Sequence, residues 1–432
     1  MGPAQGRLSA TPAAGEQAGA ARALTVAYVM SRFPKITETF VLSEMLALAE
    51  QGVRVEVFPL LREVETVEHP EARELVRRAH YRPFLDLDIL RANLHFLVRA
   101  PRAYLGTVAQ VLLRTAPSPN FLAGALAFLP KSVLFAREMQ RAGVDHVHAH
   151  FANHPALTAL VVRRLTGIPF SFTAHGSDLH VDQTALAWKL AQADFAVTVS
   201  QYNVAFVRER AGPAAAAKLR VIHCGVDSTR YVREREPASP PFEILCVAAL
   251  REVKGHRHLL EACRLLRERG LDFRCHLVGG GPLARRLADE VRRLDLGQHV
   301  RLHGPLERGR LIERLRAAHA LVLPSIQDRA GRREGIPVTL MEAMSCSVPV
   351  VASRISGIPE LVEDGRSGLL VPPGDAPAIA DALARLAAEP ELRARLGRSA
   401  RERVQRDFDL AAGARALAEA ILAQRSPVRR QP

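Results

Sequence analysis

Short apolar runs alternate with longer stretches of helical period over most of the chain. Leu24 to Met30 reads as a buried strand, Ser31 to Thr39 as a polar turn, and the stretch to about Glu50 as a helix carrying Phe40, Leu42, Met45, Leu46 and Leu48. Gly52 stops that helix, and Val53 to Phe58 alternates as a second strand. Strand, helix, strand is a βαβ opening, whose ligands lie beyond the carboxyl ends of the strands. Further strands are predicted at Ile168–Ala174, Phe195–Val199 and Leu219–His223. A charged, then Pro/Ser-rich segment at 233–241 reads as a linker. A second α/β unit opens at Phe242–Ala248 and continues through strands at Cys275–Val278, Val300–His303 and Ala320–Leu323. Helices are expected at Ala376–Ala388, Glu391–Val404 and Phe408–Gln424.

At 432 residues the chain has room for two domains. No apolar run reaches the ~18 residues of a membrane helix. Residues 1–22 lack the apolar centre of a signal peptide and read as a disordered extension, and 425–432 as a loose basic tail. The five cysteines show no C-x-x-C spacing, which favours buried thiols in a reduced compartment. The net charge of +14 suits anionic substrates or an anionic membrane. Zinc-finger spacing and RRM-type aromatic motifs are missing, so no nucleic-acid partner is expected.

The stretch Glu334 to Glu342 organises the rest. A strand ends at Pro324, a polar loop follows, and Pro337 stands where a helix can start. Glu334 falls on the loop and Glu342 inside the helix, with the Gly335 and Ile336 amides between them as an anion site. Taken alone, the pair could be a capping acid and a solvated one. The surrounding order changes that: Gly357-Ile358-Pro359-Glu360-Leu361-Val362, then Asp364-Gly365, then Gly368 to Asp375. This block resembles the signature of the retaining glycosyltransferases of the GT-B fold, group 1 (family 4-like). The Ser31–Phe40 stretch, S-R-F-P-K-I-T-E-T-F, is similar to their colanic-acid and exopolysaccharide branch.

The resemblance implies an α/β protein of two facing Rossmann-like doubly wound domains with a cleft between them. It implies an acceptor domain at 23–232, a nucleotide-sugar domain at 242–405 and a crossover helix at 406–424. It implies a metal-independent hexosyltransferase, moving sugar from a UDP- or GDP-linked donor to a glycan or lipid-linked acceptor, with no cofactor. A cytoplasmic place, peripheral on the inner face of the plasma membrane, follows from the same branch. His175 and Glu334 are the implied catalytic residues. Lys254, Gly279, Gly281, Glu334, Gly335, Ile336 and Glu342 would bind the donor. Thr37, Glu38, His150 and Asp178 would line the acceptor side. The family's diphosphate-binding arginine falls at Ala249 here, so Arg251, two residues on, is the substitute candidate. The alternative function is a catalytically impaired GT-B protein that binds nucleotide and membrane.

Other patterns need weighing. His146, His148 and His150 alternate on one strand face, as a tetrahedral metal site could use, yet no cysteine and no obvious carboxylate joins them nearby. Gly279-Gly280-Gly281 resembles a dinucleotide fingerprint but lacks the acid about twenty residues on. Asp86-Leu87-Asp88 and Asp407-Phe408-Asp409 are D-x-D runs among helices, read as surface acids rather than metal ligands. Residues 91–141 form basic amphipathic helices, seven Lys/Arg against one Glu. They suit core packing or an anionic membrane surface.

Overall fold

The computed structural model describes residues 23–35, 38–63, 70–235, 238 and 240–424. The N-terminal extension, the basic tail and Thr37 lie outside the described residues.

The first sheet holds β1 (Thr25–Phe33), β2 (Arg54–Arg62), β3 (His146–His150), β4 (Phe170–Ala174), β5 (Phe195–Thr198) and β6 (Leu219–Val221). All six are parallel, in the order β2-β1-β3-β4-β5-β6. The second holds β7 (Phe242–Val247), β8 (Phe273–Val278), β9 (Val300–Gly304), β10 (Ala320–Leu323), β11 (Val350–Ser353) and β12 (Leu369–Val371). Its order, β12-β11-β10-β7-β8-β9, is that of a doubly wound dinucleotide-binding sheet. In each sheet the strand order reverses beside the first strand, between β1 and β3 and between β7 and β10. Loops leave those neighbours in opposite directions and open a crevice at their carboxyl ends.

β1 and β2 run longer than their sequence pattern predicts. Ser31 to Phe33 belong to β1, and β2 continues through Pro59 to Arg62, because the pair stays in register from Thr25–Arg54 to Phe33–Arg62. β2 is an edge strand, where a proline costs no ladder bond on the open side. The last helix starts at Leu410, not Phe408. Asp409 caps it by accepting from the Ala412 amide, while Phe408 turns into the core. The helix lies on Thr39–Glu50, burying Ala414, Leu417 and Ile421 with Tyr28 and Met45 of the first domain. The C-terminus therefore crosses back, and Gly225 is required at the crossing: a Cβ there would lie 2.5 Å from the Leu410 nitrogen.

Helices Leu87–Arg99, Pro101–Thr115 and Pro119–Arg141 cover one face of the first sheet. Ile89, Ala92 and Phe96 pack inward with Phe58, Leu60 and Phe135. Pro119–Arg141 is, by length and composition, apolar enough to cross a membrane, which corrects the run-length reading. Half of that stretch is buried, and Val133 to Ala136 sit in the core. Asp86 also proves to be a helix cap, accepting from the Asp88 amide.

Candidate active site between the two sheets

Lys254 ends a short 3-10 turn after β7, and Glu334 sits on the loop after β10, so the two flank the second sheet's crevice. Lys254 Nζ lies 2.5 Å from Glu334 Oε1, and the Glu334 side chain is 10% exposed. Glycines make this approach possible. A Cβ on Gly255 (φ +68°) would lie 1.8 Å from the Pro324 carbonyl oxygen. Cβ atoms on Gly279 and Gly281 would strike the Ala248 and Leu250 carbonyls at 2.0 and 2.6 Å. The close approach these two glycines permit here is thus to the neighbouring turn. Arg251 is exposed, and its side chain meets no partner among the described residues.

The Gly335 and Ile336 N–H groups precede the helix Val338–Ser345 and donate to no acceptor among the described residues. They are two unpaired donors at the positive end of a helix dipole. Glu342, inside that helix, is buried and accepts from the Tyr231 hydroxyl at 2.8 Å. Burial raises its carboxyl above the usual range, against the pull of Tyr231 and Arg308. Tyr231, Arg308, Val338 and Glu342 line a cavity of about 120 Å³ closed on its far side by the helix Thr39–Glu50.

The two domains meet at this loop. A Cβ on Gly335 would lie 2.5 Å from the His175 carbonyl oxygen, and one on Gly176 would lie 3.2 Å from the Gly335 nitrogen. Glu360, quoted above only as part of a motif, accepts from the Gln201 and Tyr202 amides at 2.8 Å each. It caps a helix of the other domain and ties the cleft together.

On the first-domain side, His175 follows β4. Asp178 accepts from the amides of Gly176 (2.7 Å), Ala152 (2.8 Å) and His175 (3.1 Å). Its carboxylate is spent on shaping the His175 turn. Glu38 pairs with Lys35 and is lifted by burial, with His150 and Asp178 in electrostatic reach.

The histidine strand does find a carboxylate. Glu44 comes from the helix Thr39–Glu50, and its oxygen lies with ring nitrogens of His148 and His150 within 4.8 Å. These atoms are already committed. His148 bonds Ser171 (2.8 Å) and Thr173 (2.9 Å), and His150 bonds Glu44 (3.0 Å) and His175 (3.0 Å). Tyr28 donates its hydroxyl to the same Glu44 oxygen at 2.7 Å. Burial opposes the Glu44 charge, but His150, His148 and Tyr28 hold its pKa down at about 2. An ionised Glu44 accepts from His150 Nε2–H. With its Nε2–H given to Glu44, His150 is left its Nδ1 to accept with, and His175 donates Nε2–H there. His175 Nδ1 is left as an acceptor, 3.9 Å from Cys224 Sγ. The chain runs Glu44, His150, His175, from the helix to the cleft.

Burial drives His146 and His175 to about 3, and His148 well below the ordinary range. The unfolded chain takes up these protons near pH 6.5, whereas the folded chain excludes them until about pH 3. Protons therefore favour the unfolded state across that window, and stability is lost as pH falls through it. The urea midpoint is expected to drop steadily from pH 7 to pH 4.5; a flat profile would contradict neutral burial of these rings.

Comparison with known proteins gives the family and the fold. Residues 37–230 match the model of Glycosyltransferase Family 4, and residues 227–403 match Glycosyl transferases group 1. The putative colanic acid biosynthesis glycosyltransferase WcaL of Salmonella typhimurium is 31% identical over 421 residues, 92% of this chain and 99% of that protein. The chain belongs to the group 1 glycosyltransferases. The amylovoran biosynthesis glycosyltransferase AmsK of Erwinia amylovora is 29% identical, over 92% of this chain and 99% of its own. Among solved structures, a glycosyltransferase from Rickettsia africae superimposes with TM-score 0.71 at 18% identity, covering 94% of this chain and 100% of that one. Anabaena Alr3699/HepE, solved in complex with UDP, gives 0.69 at 18% identity, covering 93% of this chain and 100% of that one. The fold is GT-B, two facing Rossmann-like domains.

Proposed function

We propose that this glycosyltransferase moves a hexosyl group, with retention, from a UDP- or GDP-sugar to a glycan or lipid-linked acceptor in exopolysaccharide assembly, without a metal. The observation that carries the reading is the Lys254–Glu334 pair in the crevice, beside the unpaired Gly335 and Ile336 amides and against His175. Amide dipoles and one ammonium, fixed before the donor arrives, suit a leaving diphosphate. Glu334 then faces the donor sugar and Glu342 the ribose hydroxyls, with residues 242–405 as the donor unit and 23–232 as the acceptor unit. The names of WcaL and AmsK support exopolysaccharide work. Peripheral attachment to the inner face of the plasma membrane draws support from residues 91–141. There Leu94, Leu97 and Val98 are exposed beside Arg91, Arg99 and Arg102.

The test is nucleotide release from a panel of UDP-, GDP- and ADP-sugars with EDTA present, comparing the wild type with Glu342→Ala. Release from one donor, lost in the variant, is expected, and proton NMR of the product sugar should show the donor's anomeric configuration. Activity that vanishes with EDTA and returns with Mg²⁺ would overturn metal independence. No release from any donor, with no calorimetric binding of the nucleoside diphosphates, would overturn the donor class.

A further inference from the structure

A second cavity, of about 270 Å³, opens where β2 ends, and Arg62, Tyr81, Arg82, Phe84 and Lys131 line it. Tyr81 donates its hydroxyl to the Phe33 carbonyl at 3.1 Å, so the cavity adjoins the carboxyl end of β1 and the acceptor side of the cleft. Its charges are unbalanced. Lys131 is 2% exposed, and its ammonium donates to the Leu60 carbonyl at 2.6 Å. It also faces the Phe84 ring at 5.0 Å and the Phe135 ring at 6.0 Å. An ammonium has three donors, and no carboxylate among the described residues neutralises this one. A buried charge without a counter-charge is costly, and burial alone pushes this lysine below its ordinary range. Arg62 stands over the Tyr81 ring at 5.1 Å, also with no carboxylate partner among the described residues. Arg82 is the member already paired, with Glu138. Arg62 and Lys131 thus line the cavity beside aromatic rings, with no carboxylate partner among the described residues.

The rim beyond the site carries exposed apolar side chains, with Asp86 capping a helix and Asp88 paired with Arg91 between them. Phe84 is itself 47% exposed, Leu85 96%, Leu87 69% and Leu90 66%. Free inorganic phosphate would gain nothing from that rim, whereas an anion carrying a hydrocarbon chain would cover it.

We infer that the Arg62–Lys131 cavity binds the phosphate of a lipid phosphate, with its chain laid over Leu85, Leu87 and Leu90. Placing this ligand as the acceptor's anchor rests on the glycosyltransfer reading above; its binding does not.

The experiment is calorimetric titration of the full chain with octyl phosphate below its micelle concentration, against inorganic phosphate and octyl glucoside. Octyl phosphate is expected to bind at least about tenfold more tightly than inorganic phosphate, and Arg62→Ser and Lys131→Met should each weaken it by about tenfold. Arg62 is exposed, so its loss leaves folding intact. Lys131→Met keeps the volume, and a melting curve reports on its fold. Equal affinity for inorganic phosphate would overturn the lipid assignment. Equal affinity for octyl glucoside, or an unchanged affinity in Arg62→Ser, would overturn the anion site. No nucleotide-sugar is present, so failure here with donor turnover intact removes this site alone. Binding without turnover would instead count against the glycosyltransfer reading.

Discussion

Lys254→Ala is expected to lower kcat for donor turnover by roughly 10²–10³-fold, the scale on which one preorganised group facing developing charge is felt. The expectation is large because Lys254 is the cation paired with Glu334 in the crevice. Ala249, where the resemblance implies an arginine, carries no charge, and Arg251 is exposed and unpartnered among the described residues. Lys254 is the side-chain cation that the crevice geometry brings to Glu334 and the Gly335 amide loop. A second effect must be separated from the first. Removing the ammonium leaves the Glu334 carboxylate, 10% exposed, without its counter-charge, and such truncations destabilise by several kcal/mol. The double variant Lys254→Ala/Glu334→Gln removes the stranded charge and should recover the melting temperature while turnover stays low. Turnover restored to within tenfold in the double variant would show that Lys254 serves only to neutralise Glu334. Arg251→Ala should change turnover less than threefold, and a larger loss would make it the substitute for the missing arginine.

The elements that sequence could predict are those set by local pattern. Buried parallel strands such as β7 and β10 are apolar runs bounded by turns, and the helix after Pro337 carries its own start signal. The two-Glu block was legible for the same reason: its residues share one loop and one helix. What stayed hidden depends on pairing. β2 ran past Phe58 only because β1 runs beside it to Phe33. Glu360 sits in a recognisable motif, yet its partners are amides 158 and 159 residues away on the other domain. Glu44 is the sharpest case. It is the mid-helix acid of a mainly apolar helix, and nothing in its neighbours marks it, because the histidine it serves lies 106 residues on. A polar residue on the inward side of an otherwise apolar helix was the one available signal, since buried carboxylates need partners. The partner of His150 lies in another element, so no local pattern around His146 to His150 marks it.

That carboxylate supports the second large prediction. Glu44→Ala is expected to lower kcat by roughly 10²-fold, the span of one well-placed acid–base group, while the donor KM stays unchanged. Glu44 touches no part of the cleft loop itself; it acts through His150. Its charge keeps the His150 proton on Nε2, which keeps the His175 proton on Nε2 and leaves its Nδ1, facing Cys224 Sγ, as an acceptor. Without Glu44, His150 can carry its proton on Nδ1 and donate to His175, whose own proton then moves to Nδ1. An acceptor becomes a donor at the same point in space. Nitrogen-15 NMR of labelled histidine reads this directly: His175 should show a protonated Nε2 in the wild type and a mixture in Glu44→Ala. Glu44→Gln keeps an oxygen that can accept from both Tyr28 and His150, so it should retain the wild-type tautomer and most of the activity. The groups around the chain are Tyr28, Glu38, His148, Asp178 and Cys224, and none of them supplies a cation to hold His175 in place instead. A wild-type His175 protonated on Nδ1, or a Glu44→Ala enzyme with unchanged tautomer and kcat, would reduce this chain of hydrogen bonds to core packing.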